Sequence, residues 1–371
     1  MTENNSSDEI EKVLSFRQNK LLPWAEKYRP DNISGIIYHD KITKSIVSYL
    51  SVGKLPHLLF YGPPGSGKTT LMLAVAKEYY KSDFYNMTMV LNASEDRGIE
   101  TVREKIIKFA KNSGMSEETT TPSFKLIILD EIDAMTDDAQ AILRKVIEKY
   151  VNNVRFCFIC NYLKKINPAI QSRCVIFRFK PIPRNEMFNY IEKICENEKI
   201  KITHNAIELV IKRSNGDMRK LLNILQSLYM HNNILLDYKN ENSSNSSDSS
   251  KLQNNDTYLI INENSVSKIL SCPTKKNIFD IMNFLQNNNL KNSYDFIHKI
   301  IDKNGISLLE LINNIYEFMM DCLINDNHTI IKYQKNKVVD IIKKIALVNE
   351  NLTYCNNENI QLYSLVSIFY L

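Results

Sequence analysis

Four short, almost unbroken apolar runs punctuate the first half of the chain: Leu58-Leu59-Phe60-Tyr61, Met89-Val90-Leu91, Leu126-Ile127-Ile128-Leu129 and Phe156-Cys157-Phe158-Ile159-Cys160. Runs without polar alternation suit parallel strands covered on both faces. Helical spacing lies between them. After Asp137, the residues Ile142, Leu143, Val146, Ile147 and Tyr150 form an i, i+1, i+4, i+5, i+8 stripe. Alternation of strand and helix predicts a doubly wound α/β domain over residues 21–180. Pro181 and Pro183 mark its end. Beyond them the pattern is helical only, through Ile191–Glu198, Ala206–Ser214 and Met218–Met230, which predicts a small helical domain over 181–238. The stretch 239–256 is dominated by Asn and Ser and cannot bury a core, so it reads as a flexible insert. From 257 to 371 the pattern is helical again, with Leu308, Leu309, Leu311, Ile312, Ile315 and Phe318 in one dense run. This third region carries no chemical motif, and packing or oligomerisation is its default reading. Residues 1–20 are polar and read as disordered.

Composition narrows the picture only a little. The chain has 371 residues, 44% of them hydrophobic and 24% charged, ordinary values for a globular protein of two or three domains. No apolar run approaches the roughly 20 residues of a membrane helix, and the polar N-terminus has no signal-peptide core. A membrane is therefore not an expected partner. The seven cysteines are odd in number and scattered, which suits a reducing compartment. Cys157 and Cys160 have CxxC spacing but sit inside an apolar strand, and no second CxxC completes a zinc site, so they read as core residues. The net charge of +5 is mild. It permits nucleic-acid binding if the charge is gathered on one face.

The chemistry begins at Gly62-Pro63-Pro64-Gly65-Ser66-Gly67-Lys68-Thr69, which follows an apolar strand and opens a helix at Thr70. That is the phosphate-loop pattern in its required context. Glycines let backbone N–H groups curl around phosphate oxygens, and the helix N-terminus adds partial positive charge. Lys68 is placed to neutralise the β- and γ-phosphates of ATP, and the Thr69 hydroxyl to ligate Mg²⁺. A second strand ends in Asp130-Glu131-Ile132-Asp133. Asp130 is the candidate metal ligand. Glu131 is the candidate base that orients and deprotonates the attacking water. Asp133 reads as capping or orienting the next segment. Asn161 ends the next strand, where an amide can hold the lytic water or the γ-phosphate, or simply shape a turn. Arg173, in Ser172-Arg173-Cys174, is either an arginine finger for a neighbouring subunit or an ordinary surface residue. Arg219 follows Gly216-Asp217-Met218. It is either a cation that closes over ATP or an exposed residue of an Asp-capped helix.

Taken together, the motifs resemble the small subunits of replication factor C, AAA+ ATPases that load sliding clamps. Trp24-Ala25-Glu26-Lys27-Tyr28-Arg29-Pro30, the phosphate loop, Asn92–Gly98, Asp130–Asp133, Phe156–Tyr162, Ser172-Arg173-Cys174 and Gly216–Arg219 occur in that family's order. The resemblance is specific from Leu22 to Leu228, weaker beyond, and most similar to the type called subunit five in animals and subunit three in yeast. It implies an AAA+ domain, a helical lid and an all-helical collar that joins five subunits. It implies that Ala25 and Arg29 contact nucleotide, that Asn161 and Arg219 take the two sensor positions, and that Arg173 serves an adjacent ATP site. It also implies a nuclear protein whose partners are other replication factor C subunits, the PCNA clamp and primer-template DNA, in replication and repair. The departures, Ile132 and Ser66 in place of the usual Ala and Thr, remove no ligand. The helix after Gly98 carries Ile99, Val102, Ile106 and Phe109 on one stripe. The stripe reads either as a core face with a basic rim or, by the resemblance, as a clamp-facing helix with Ile106 and Phe109 as anchors. Arg97 and Arg103 beside it are candidate DNA contacts. Two other functions stay open: a structural ring subunit that binds nucleotide with little turnover, and another AAA+ DNA motor.

Overall fold

A computed structural model describes residues 22–94, 99–111, 124–243, 259–324, 335–355 and 357–370. The chain forms two compact units. One runs to Ile200 and takes in Ile207–Gln226; the other takes Lys201–Ala206 and the chain from Ser227 onward.

In the first unit the order is α1 (Trp24–Lys27), α2 (Asp40–Ser51), β1 (Leu58–Tyr61), α3 (Lys68–Tyr80), α4 (Phe84–Met87), β2 (Thr88–Asn92), α5 (Ile99–Lys111), β3 (Lys125–Asp130), α6 (Asp137–Tyr150), β4 (Val154–Cys160), α7 (Pro168–Gln171), β5 (Val175–Arg178) and α8 (Arg184–Asn197). Helices α9 (His204–Ser214) and α10 (Met218–Ser243) follow. The five strands form one parallel sheet in the order β2-β3-β4-β1-β5.

The sheet is apolar on both faces because each face has its own core. Leu58, Phe60, Leu126, Ile128, Cys157 and Ile159 pack with Ile46 of α2 and Leu71, Met72 and Val75 of α3. Their neighbours Leu59, Ile127, Leu129, Phe156 and Phe158 pack on the other side with Ile106 of α5 and Leu143, Val146 and Ile147 of α6. The period-two alternation of strand side chains makes this division. It also sends Cys157 into one core and Cys160 into the other. Burial pushes the Cys157 thiol well above its ordinary range and that of Cys160 up to about 12. A strand cannot aim both sulfurs at one metal or at each other.

Helix α6 starts where its sequence says it should. The Thr136 side chain accepts from Ala139 N, and Asp137 and Asp138 sit in the first turn against the positive end of the helix dipole. Strand β5, with the apolar run Val175-Ile176-Phe177, stands outside the four runs expected as strands. It is an edge strand paired only with β1, and its residues alternate between half-buried and exposed.

The second unit contains α11 (Glu263–Ile269), α12 (Lys275–Asn287), α13 (Leu290–Asn304), α14 (Leu308–Ile324), α15 (Lys335–Tyr354) and α16 (Glu358–Ser367). Its core is one apolar cluster. In it Leu308, Leu311, Ile312, Ile315 and Met319 of α14 meet Ile281, Met282 and Leu285 of α12, Ile341 and Ile345 of α15, and Leu362 and Leu365 of α16. Leu309 lies off that stripe and is exposed.

The helical-only expectation beyond Pro183 needs one correction. Ile200–Ile202 (β6) and Leu259–Ile261 (β7) pair as a two-stranded sheet. Three-residue strands are shorter than any periodicity can report. Helix α10 also runs to Ser243, beyond the point where Asn and Ser begin to dominate. Once Leu221, Leu222, Leu225 and Leu228 are buried, each further residue needs only to propagate a formed helix. The rest of the Asn/Ser stretch and residues 1–20 lie outside the described residues. No described helix is long and apolar enough to cross a membrane.

Candidate nucleotide-binding site

The parallel sheet places the motif residues together. Strands β3, β4 and β1 are neighbours, so Asp130 and Glu131, Asn161, and the loop from Gly62 to Gly67 all emerge at one carboxyl edge. Ligands bind at such an edge in open α/β sheets. A cleft opens there. It is lined by Pro64–Thr70, Asp130, Glu131 and Asn161 from the sheet side, by Ala25 and Arg29 from the N-terminal segment, and by Arg219 from α10.

The loop is held open by its own bonds. Ser66 Oγ donates to Pro63 O at 2.8 Å, so the serine shapes the loop from a buried position. Gly65 sits at φ +64°, and a Cβ there would lie 1.8 Å from Asp217 Oδ1. Only glycine lets the start of α10 come this close. The approach is fixed by two bonds: Met218 N donates to Gly65 O at 3.2 Å, and Lys220 N donates to Asp217 Oδ1 at 3.0 Å. Asp217 is thus a helix cap that abuts the phosphate loop.

Lys68 is buried, and its ammonium donates to Gly62 O, Pro63 O and Asn161 Oδ1 at 2.9, 2.9 and 3.0 Å. Burial lowers its pKa, while Asp130, Asp133 and Asp217 oppose that shift. The geometry therefore holds a desolvated cation at the loop mouth, where a phosphate oxygen could replace the carbonyls. Thr69 Oγ1 donates to Asp130 Oδ2 at 2.6 Å. Glu131 is exposed, at φ +54°, with its backbone N donating to Asp130 Oδ1 at 2.9 Å. That left-handed turn sends residue 131 away from the strand and into the cleft lining. Asp133 accepts from the backbone N of Asn161 and of Tyr162, each at 3.2 Å, and so fixes the segment that carries the Asn161 amide.

Arg173 does not line this cleft. Its guanidinium is part-exposed and donates to Ala169 O at 2.7 Å and to Glu148 Oε1 at 2.6 Å. Arg144 Nε donates to the same Glu148 oxygen at 3.1 Å, and the two arginines hold that carboxyl below its usual pKa. Arg173 is thus presented on a carboxylate support outside the lining of its own subunit's cleft.

Of the stripe on α5, the side chains of Ile99 and Val102 lie outside the described residues, and Ile106 and Phe109 have different fates. Ile106 is 0% exposed and belongs to the core between α5 and the sheet. It cannot be an anchor for a clamp, because its side chain already fills the space under the helix. Phe109 is half-buried against the same core, with Lys125 Nζ 4.8 Å from its ring centroid. Arg97 and the Arg103 side chain lie outside the described residues.

Sequence reasoning missed the apolar wall of the cleft: Ile36, Ile37, Tyr38, His39, Phe179, Ile182, Tyr190 and Leu222. The short run Ile36-Ile37-Tyr38 was the available signal. His39 is packed between Tyr38 and Phe179, at 4.5 and 4.6 Å, and burial lowers its pKa.

Comparison with known proteins decides the family. The model for ATPases associated with various cellular activities matches residues 58–182. The RCF1/5-like AAA+ ATPase lid domain matches 189–230, and the replication factor C C-terminal domain matches 273–367. Replication factor C subunit 5 of Homo sapiens is 37% identical over 349 residues, covering 94% of this chain and 91% of its own. Replication factor C subunit 3 of Saccharomyces cerevisiae is 34% identical over 345 residues, covering 93% and 92%. The chain belongs to the replication factor C family. As a member of it, the protein is a P-loop AAA+ ATPase with a lid and an all-helical C-terminal region. Among solved structures, the Thermotoga maritima RuvB Holliday junction branch migration motor superposes with a TM-score of 0.49 at 16% identity, covering 76% of this chain and 88% of that one. Likeness at that level decides nothing about activity.

Proposed function

We propose that this replication factor C subunit hydrolyses Mg-ATP in the cleft described above, as one of five subunits that load the PCNA clamp onto primer-template DNA. The observation that carries the reading is the convergence of Lys68, Thr69, Asp130, Glu131 and Asn161 on one strand edge, in a chain of this family. Magnesium fits the site. Thr69 Oγ1 and Asp130 Oδ2 are two oxygen donors already 2.6 Å apart at the loop mouth, and Mg²⁺ takes oxygen ligands of this kind. When bound, it neutralises charge on the phosphates and polarises the γ-phosphoryl group.

The chain's own residues would do the rest. Lys68 exchanges its carbonyl partners for phosphate oxygens. The backbone N–H groups of Gly65–Thr69 cradle the phosphates at the start of α3. Glu131 accepts the proton of the attacking water, which adds to the γ-phosphorus as the bond to the β-bridging oxygen breaks. Asn161 holds that water or the γ-phosphate, and Arg219 closes from α10. Ala25 and Arg29 cover the nucleotide from the N-terminal segment. Arg173 supports charge at the neighbouring subunit's ATP. Of the two candidate anchors, Phe109 is the one left for a clamp contact. A nuclear location and a role in replication and repair accompany this reading.

Affinity capture of the tagged full chain tests the assembly. Recovery with four other replication factor C subunits supports it; a homohexamer would favour another AAA+ motor. Assembly without turnover at this site would favour a structural ring subunit.

A further inference from the structure

Helix α1 is a single turn of four residues, Trp24–Lys27, with no side-chain cap at its start. A turn that short has no stability of its own, so tertiary contacts must set its position. On one side the segment after it is tied to α3. Asp31 pairs with Lys77, and Ile33 N donates to Glu78 Oε2 at 3.4 Å. Both ties are exposed to solvent, where such bonds contribute little.

On the other side the segment is tied to α8 and α10. Trp24, 5% exposed, donates its backbone N–H to Gln226 Oε1 at 3.0 Å. Tyr190 Oη donates to Tyr28 O at 2.7 Å. Glu198, the residue that ends α8, accepts from both Lys27 Nζ and Tyr28 Oη through one oxygen. The Glu198 side chain is only 13% exposed, so this pairing is shielded from solvent in a way that the Asp31–Lys77 pair is not. The same short segment puts Ala25, Tyr28 and Arg29 into the lining of the cleft.

We propose that Glu198 is a positioning residue for nucleotide binding: its carboxylate latches Lys27 and Tyr28 to the end of α8 and thereby holds Ala25, Tyr28 and Arg29 over the cleft. Glu198 itself does not line the cleft and acts through the segment it holds. With the latch released, the segment keeps the Trp24–Gln226 and Tyr190–Tyr28 bonds but loses the shielded Glu198 pairing, and the cover of the cleft is loosened. The loop, the acidic pair and the water-handling groups stay where they are. The effect therefore falls on nucleotide affinity and not on the chemical step. The proposal rests on the reading of this cleft as the ATP site.

The test uses the full chain titrated with a fluorescent ADP analogue and Mg²⁺, alongside thermal unfolding without nucleotide. Glu198→Ala should weaken binding by about tenfold, the scale of one charge-assisted hydrogen bond. Its nucleotide-free melting temperature should stay near wild type. Glu198→Gln keeps an acceptor for Tyr28 but loses the partner charge of Lys27, and should fall between. Lys27→Met added to Glu198→Ala should cost little more. In the assembled complex, Glu198→Ala should raise KM for ATP and leave kcat within about twofold. Lys68→Ala is the control for the cleft. Wild-type affinity in Glu198→Ala, with affinity lost in Lys68→Ala, would overturn the latch and leave the ATP site standing. Wild-type affinity in both would overturn the two together. If Glu198→Ala lowers the melting temperature as well, Glu198→Gln decides: weakened binding at an unchanged melting temperature supports the latch, and any other result overturns it.

Discussion

Replacing Ile106 by Ala separates the two meanings of the apolar stripe on α5. In the structure Ile106 is fully buried among Leu129, Ile132, Leu143, Phe156 and Phe158. Truncation removes the branched part of the side chain from a site with no access to water, and the sheet behind it cannot collapse freely because β3 and β4 are locked in register. The expected cost is about 2–5 kcal/mol, the range for Ile→Ala in close-packed cores. Ile106→Val, which keeps the branching, should cost about 0.5–1.5 kcal/mol. Urea unfolding followed by circular dichroism measures both, and the slope with urea should not change because the native fold is kept. Any loss of clamp affinity should scale with the loss of folded protein and vanish when corrected for it. Wild-type stability in Ile106→Ala together with lost clamp binding would refute the buried assignment and restore Ile106 as an anchor.

Arg173→Ala should leave nucleotide binding at this subunit's own cleft intact and slow hydrolysis at the adjacent site by about 10³-fold, the low end for a trans-acting arginine; complexes with one inactive site at a time resolve the two, and loss confined to this subunit's own site would refute the trans role. His57 gives a pH signature. Burial holds its pKa near 4, with Arg155 adding to the shift, and its Nδ1 accepts from Phe156 N at 3.1 Å, so the folded state keeps the ring neutral. The unfolded chain binds that proton more readily, so the contribution is fully present above pH 6.5 and is lost as pH falls from 6.5 towards 4, by at most about 3 kcal/mol. The acid limb of the stability profile should be shallower in His57→Asn, and an identical limb would contradict the assignment.

The central strands were legible because residues such as Leu58, Ile127 and Phe158 are buried on whichever face they point to, which leaves an unbroken apolar run. Strand β5 was less legible: Val175-Ile176-Phe177 is as long an apolar run as Met89-Val90-Leu91, but it follows directly on Ser172-Arg173-Cys174, is cut short by Arg178 and alternates between half-buried and exposed residues. The phosphate loop and acidic edge were legible because their residue types are dictated by phosphate and metal. The opposite wall of the cleft was not. Tyr38, Tyr190 and Leu222 come from three distant segments, and each reads locally as an ordinary core residue. Periodicity on α5 put Ile106 and Phe109 on one apolar stripe but could not say what covers it. Only the packing under Ile106 does that. The role of Glu198 was invisible for the same reason: a glutamate ending a helix carries no sign of the lysine and tyrosine, 171 and 170 residues away, that it binds.

Hydrolysis at this site is tested most directly by Glu131→Gln in the reconstituted five-subunit complex, with the other ATP sites inactivated and with PCNA and primed DNA present. Mg-ATP binding should be retained, because Thr69, Asp130 and Lys68 are untouched, and hydrolysis should fall by about 10²–10⁴-fold, because an amide cannot take the proton of the attacking water. Turnover at this site close to wild type would contradict the role of Glu131.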